Sequence, residues 1–195
     1  MLLATAARAD DVFDHPGTPA QVEIILRPAM PDLGQVEVLR GRYRQRRILH
    51  EIPRPLLSSG EFLLVRDRGI WWHTLSPLES ELTLTPGGPL RQSGAGLAAP
   101  LFFALLGLDL ERLSRSFDLF ILRSGTSRAP RWVLGLRPRD AALAAWFGKA
   151  TLSGGARVEQ VTLFEAAGDR TEIDLDAMAH PRSSLTPAER IRLEP

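Results

Sequence analysis

RTEIDLD, residues 170–176, is the stretch that decides how this chain folds. Thr171, Ile173 and Leu175 alternate with Arg170, Glu172, Asp174 and Asp176. In an extended strand successive side chains point to opposite faces, so this alternation gives one dry face and one wet face. Such a strand belongs in an antiparallel sheet packed on one side and solvated on the other.

Moving outward from it, apolar or alternating runs recur between Gly, Pro, Asp and Ser turns, the spacing of an antiparallel meander. Strands are expected near 35–45, 46–51, 60–67, 70–76, 79–85, 117–124, 131–137, 150–153, 157–166 and 170–177. The turns between them include Asp67-Arg68-Gly69, Pro86-Gly87-Gly88, Ser124-Gly125, Gly154-Gly155 and Ala167-Gly168-Asp169. Phe62-Leu63-Leu64-Val65 breaks the alternation, being apolar on both faces, so something must cover the sheet on each side there.

Helical segments are candidates for that cover. Gly96 to Gly107 (GLAAPLFFALLG) is apolar nearly all round, with Asp109 placed to cap a short second turn through Leu113. Asp140 to Phe147 reads as a helix with Asp140 at the N-cap and Gly148 just past the end. Thr18-Pro19-Ala20-Gln21 has capping-box spacing, with Val22, Ile25 and Leu26 making one apolar stripe before Pro28. Thr186-Pro187-Ala188-Glu189 repeats the pattern near the end of the chain, as a brief helix or a tail. The division expected is a signal-peptide remnant at 1–9, one domain over 10–180 and a tail or short helix at 181–195.

Composition narrows the function classes. The 195 residues are 44% hydrophobic and 24% charged with a net charge of +1, which suits one globular core and gives no basic excess of the kind nucleic-acid binding demands. With no cysteine, disulfides, thiolate metal sites and cysteine nucleophiles are excluded. Ala7-Arg8-Ala9 followed by Asp10-Asp11 resembles a signal-peptidase site, so export to the periplasm is expected. The most apolar run, LAAPLFFALLGL at 97–108, falls short of the roughly 18 to 20 residues needed to span a bilayer.

Catalytic patterns are not found. His15, His50, His73 and His180 lack the spacings that place two imidazoles on one face, and no metal or other cofactor is expected. His73 stands alone on a strand, where histidine is more often a hydrogen-bonded packing residue than a base. No G-x-S-x-G elbow occurs, and GGPLRQSGAG at 87–96 lacks phosphate-loop spacing. Glu79 and Glu81 share a strand face, with Leu82 and Leu84 opposite marking that face as an exposed rim. Arg40, Arg42, Arg44 and Arg46 line one face of one strand, as a docking stripe for an acidic partner or for lipid phosphates, or as a solvated face that discourages edge pairing; the last reading is preferred.

The order Gly60-Glu61-Phe62 with Arg66, then Trp72-His73, then Pro77, Glu79 and Ser80, resembles the outer-membrane lipoprotein carrier family, LolA. Gly41-Arg42-Tyr43-Arg44-Gln45 looks like that family's aromatic-x-Gln strand, with Tyr43 in place of the usual Phe. Element order follows the resemblance over about 20–180, and the sharp matches lie within 41–80. Leu63-Leu64 departs from a frequent aromatic, and Asp67 stands where the family has proline after the arginine.

The resemblance implies a mainly β fold: an incomplete, half-open antiparallel β-barrel of about ten strands with a few short helices as a lid. It implies a periplasmic chaperone, not an enzyme, that holds acyl chains in an apolar groove and passes them to an outer-membrane acceptor. The groove and lid would be lined by Phe62, Leu64, Trp72, Phe102, Phe103, Leu106, Trp132 and Leu134. Arg66 matches the family arginine that latches the lid through helix backbone. The partners implied are an acylated lipoprotein or another envelope lipid, an inner-membrane ABC-type transporter or exporter, and the acceptor; nucleic acid is not among them, and a monomer is expected. Two other readings keep the same fold: a LolA-like carrier of another envelope lipid or glycolipid working with an exporter, and a half-barrel lipid sensor that regulates a partner.

Overall fold

The computed structural model describes residues 9–31, 36–85, 110–145, 147–165, 168–180 and 184–193. Over these, period-two segments form nine strands. They are β1 (Val38–Ile48), β2 (Leu56–Val65), β3 (Gly69–Ser76), β4 (Ser80–Leu84), β5 (Phe117–Gly125), β6 (Pro130–Pro138), β7 (Lys149–Gly154), β8 (Val158–Phe164) and β9 (Arg170–His180). Their order is β4-β3-β2-β1-β9-β8-β7-β6-β5, antiparallel throughout. Two meanders are thus joined where the first strand meets the last. β4 and β5 remain as edges, so the sheet is a half-barrel and not a closed one.

The two strands expected at 35–45 and 46–51 are one. β1 runs on to Ile48 because its pairing with β9 continues unbroken to Ile48↔Arg170. β2 starts earlier than expected, at Leu56, and ends before Arg66 and Asp67, where Asp67 takes a left-handed φ of 58° in the turn.

The β1–β9 seam fixes which face is which. Tyr43 is paired with Leu175 and Gly41 with Ala177, on the dry side, while Arg42 faces Asp176, Arg44 faces Asp174 and Arg46 faces Glu172 on the other. The arginine stripe therefore lies beside the acidic stripe of β9, and Arg46 closes an ion pair on Glu172. Opposite charges directly across an antiparallel pair help hold the register.

Residues 9–14 and 184–193 cover the outer face. A 3-10 helix (Ala9–Asp14) sets Val12 and Phe13 over β5 and β6, where Gly135 leaves the room: a Cβ there would lie 3.0 Å from Val12. The chain then passes the β5 edge with Gly17 N–H donating to the Leu119 carbonyl and Ile121 N–H to the His15 carbonyl, before entering α1 (Pro19–Leu26) on the inner side. The Thr18 capping box forms as its spacing requires.

At the other end residues 184–193 pack onto the sheet. A second capping box starts α4 (Pro187–Arg192), and Leu185 and Leu193 pack with Val38, Leu63, Val65 and Trp71. This is the outer cover demanded by Leu63 and Val65. Arg40 forks onto Glu189, Nε to Oε1 at 2.7 Å and Nη2 to Oε2 at 2.9 Å, and also donates to Ser184.

Two further helices occur among the described residues. Leu110–Ser116 (α2) follows the segment expected to form the lid, which itself lies outside the described residues together with Asp109. The helix expected over 140–147 is the single turn Ala141–Ala144 (α3). Ala144 and Ala145 close its backbone bonds, and past it Gly148 N–H turns to the Phe164 carbonyl of β8.

Candidate apolar carrier face

The inner face is assembled by register. From the Tyr43–Leu175 pair it extends through Phe62 and Leu64 on β2 to Trp72 and Ile70 on β3 and Leu82 and Leu84 on β4. In the other direction it runs through Ile173 on β9, Val161 on β8, Leu152 on β7 and Leu134 on β6 to Ile121 on β5. Each strand contributes, and these side chains belong to one apolar cluster.

Five of the expected lining residues, Phe62, Leu64, Trp72, Trp132 and Leu134, share this face. Phe62, Leu64, Trp132 and Leu134 are buried, and Trp72 is partly so. They form two groups, on β2–β3 and on β6, at opposite sides of the sheet. In the first, Trp72 lies between two rings, 3.9 Å from Tyr43 and 5.6 Å from Phe62, centroid to centroid. The Tyr43 hydroxyl is bonded to Thr74 Oγ1 at 2.7 Å, so the ring keeps its apolar edge toward the cluster. In the second, Trp132 Nε1 donates to the Gly155 carbonyl at 2.8 Å. Phe102, Phe103 and Leu106 lie outside the described residues.

Sequence reasoning missed Tyr43, Leu152, Val161, Ile173 and Leu175 as lining residues. Alternation alone marked Ile173 and Leu175 as inward; what it lacked was the β1–β9 pairing that puts them beside Tyr43. Complementary stripes of period two, basic over 40–46 and acidic over 172–176, carry that pairing in the sequence.

Among the described residues the cover over this face comes from the helices and from two side chains beyond them, Ala29 and Phe147, both buried in the same cluster. α1 supplies Val22 and Leu26 and α2 supplies Leu113 as fully buried side chains. Ile25, Met30 and Val36 pack at the margin. Arg66, one residue past β2, donates from Nε to the Val36 carbonyl at 2.9 Å, while its own N–H bonds the Glu37 carbonyl. It is thus fastened to the connection between α1 and β1.

His73 sits on the outer face and not in the groove. Its Nε2 is 3.0 Å from Glu79 and 3.9 Å from Glu81, its Nδ1 is 3.6 Å from Glu61, and its ring packs on Trp71. Its Nε2 is hydrogen-bonded to Glu79, while Nδ1 is buried without a hydrogen-bond partner. Close backbone approach beside it explains Gly60: a Cβ there would meet the His73 carbonyl oxygen at 1.9 Å, at the bulge where β2 shifts register on β3. Among the described residues no group of His, Asp or Glu is arranged to hold a metal ion, and no helix is long and apolar enough to cross a membrane.

No protein-family profile matches the chain, and no curated protein matches it by sequence. Among solved structures it is similar to a chain of the MucA/MucB complex of Pseudomonas aeruginosa, at 16% identity and a TM-score of 0.42 over 86% of this chain. The match spans 62% of that chain, less than two thirds of its length. LprF from Mycobacterium bovis aligns at 10% identity and a TM-score of 0.35, over 89% of this chain and 99% of its own. A LolA superfamily protein from Nitrosomonas europaea aligns at 12% identity and a TM-score of 0.34, over 86% of this chain and 98% of its own.

Proposed function

We propose that the chain is a periplasmic carrier that holds acyl chains against the inner face of the half-barrel and releases them to an outer-membrane acceptor. The observation that carries this reading is an apolar face built by all nine strands and closed, among the described residues, by only three fully buried helical side chains.

Magnitudes favour exchange. Exposing Val22, Leu26 and Leu113 costs roughly 5–9 kcal/mol at about 1.5–3 kcal/mol each. An acyl chain of about 16 carbons gains on the order of 12 kcal/mol at ~0.8 kcal/mol per methylene. The surplus of roughly 3–7 kcal/mol corresponds to millimolar to micromolar binding, weak enough to hand cargo on. A permanently open dry groove would hold the same chain too tightly for transfer.

In this scheme Phe62, Leu64, Trp72, Trp132 and Leu134 line the site, joined by Phe102, Phe103 and Leu106 of the apolar 96–107 segment. Arg66 acts as a latch: its bond to the Val36 carbonyl anchors the connection behind α1, and its loss frees that helix to move off the face. Cargo would be an acylated lipoprotein or another envelope lipid, delivered by an inner-membrane ABC-type transporter or exporter. The scheme uses no cofactor and no catalytic residue.

Native mass spectrometry of the chain purified from a bacterial periplasm tests this. The expected result is a co-purified acyl lipid or lipopeptide at one per chain. Protein of apo mass alone, with tryptophan fluorescence unmoved by added fatty acid, would refute it.

A further inference from the structure

On the β1–β4 half of the inner face the side chains stand in rungs about 7 Å apart, the spacing of alternate residues in a strand. Register assigns each rung. Leu64, Ile70 and Leu84 lie side by side on the first and are buried; Phe62, Trp72 and Leu82 form the second, where Trp72 and Leu82 are only half-buried. The third rung is polar: Ser80 is opposite Thr74 and Thr74 opposite Gly60, over which Tyr43 reaches to bond Thr74 Oγ1. One step further out Gln45 and Ser58 are paired across β1 and β2, both half-buried. Burial falls in the same direction along β3, from Ile70 through Trp72 and Thr74 to an exposed Ser76. Across the sheet, by contrast, Leu134, Leu152 and Val161 are at most 1% exposed. The apolar face thus opens toward solvent at one end of β1–β4, through a margin of hydroxyl and amide groups.

The chemistry of this margin selects a head group. A tyrosine–threonine pair holds two O–H protons and uses one between its two oxygens, so the other is left to donate. Among the described residues neither hydroxyl has a second side-chain bond. The Gln45 amide and the Ser58 hydroxyl add further uncharged donors beside it. Among the inner-face side chains of β1–β4 the one charge is Arg47, beyond Gln45, and Glu165 already holds it at 3.4 Å. Glu165 also accepts from Thr171 Oγ1. A carboxylate arriving here would have to compete with Glu165 for that guanidinium while giving up water. An ester or amide carbonyl oxygen accepts from the uncharged donors and brings no charge to desolvate.

We propose that the bound acyl chain lies along β2–β4 with its methyl end at Leu64, Ile70 and Leu84 and its carbonyl at Thr74 and Gln45, and that the protein takes neutral acyl esters and amides in preference to free fatty acids. The inference rests on the carrier reading and adds a direction and a head-group class to it. A carrier could hold the chain reversed, or accept any head group, so the two can fail separately.

The test uses the full chain at neutral pH and four ligands of one chain length: dodecanoate, its methyl ester, its amide and dodecane, each competing against a bound fluorescent acyl probe. The ester and the amide should bind about tenfold tighter than the carboxylate, which must shed water without a free counter-ion. This comparison needs no variant. Thr74→Val and Gln45→Leu should each weaken the ester about fivefold, the worth of one hydrogen bond, and leave dodecane unchanged. Methyl esters carrying a diazirine at either end, cross-linked and located to the residue by fragment-ion mass spectrometry, should label Thr74 or Gln45 from the carbonyl end and Leu64 or Ile70 from the methyl end. A carboxylate that binds as tightly as the ester, equal losses of ester and dodecane in both variants, or the same or reversed labelling from the two ends overturns the proposal and leaves the carrier reading standing. Failure of all four ligands to displace the probe would refute the carrier reading, and the proposal with it.

Discussion

Replacing Glu189 by glutamine removes one charge from the contact that fastens the C-terminal helix to the sheet. Arg40 reaches both carboxylate oxygens, at 2.7 and 2.9 Å, and the two side chains are 25% and 16% exposed. The Arg40 hydrogen bonds, opposed by burial and assisted by Thr186, bring the Glu189 carboxyl from 4.5 down to about 2. At about 1.36 kcal/mol per unit that gap is worth roughly 3 kcal/mol, and solvent at the rim of the contact lowers it to about 2. Glutamine keeps the helix start, since Gln21 serves the same capping role in α1, so the loss isolates the charge.

A melting temperature lower by about 4–8 °C at neutral pH is therefore expected for Glu189→Gln. Because the folded-state pKa is the depressed one, the stabilisation is full above 4.5 and is lost as pH falls toward about 2. Urea midpoints measured by circular dichroism from neutral pH down through this window should show wild type and variant converging. A constant difference across it, or a melting temperature within about 1 °C of wild type at neutral pH, would refute the reasoning.

Gly60→Ala should cost more than about 4 kcal/mol and yield mainly insoluble protein, because backbone faces its Cβ at 1.9 Å; soluble protein melting within a few degrees of wild type would contradict this. Trp132→Phe keeps the apolar ring but orphans the Gly155 carbonyl, a loss of about 1–3 kcal/mol readable in urea unfolding with an unchanged slope. Arg66→Leu should speed release of a bound fluorescent fatty acid in stopped flow more than it alters uptake, and equal effects on both would remove its latch role.

The sequence discloses local facts well. Thr171, Ile173 and Leu175 point inward as their alternation requires, and both Thr-initiated capping boxes form. Phe62 to Val65 correctly demands cover on two faces. Less legible is what supplies the cover, because this depends on contacts far apart in the chain. The outer side is closed by Leu185 and Leu193 from a segment whose own apolar content is too slight to announce a role. Glu189 meeting Arg40 and Arg192 lying over Trp71 help give that segment its place. The same distance hides the β1–β9 seam, and with it Tyr43 as the neighbour of Trp72. The three glutamates around His73 come from β2, the β3–β4 turn and β4, and strand parity puts His73, Glu61 and Glu81 on the outer face, away from the apolar cluster.

The central claim is that cargo lies on the inner face, and photo-crosslinking locates it directly. A fatty acid carrying a diazirine near its methyl end, bound to the purified chain and irradiated, should label peptides containing Phe62–Leu64, Ile70–Trp72 and Trp132–Leu136. Competition with unlabelled fatty acid should abolish that labelling. Label confined to the outer face, or spread over the surface and indifferent to competitor, would contradict the account.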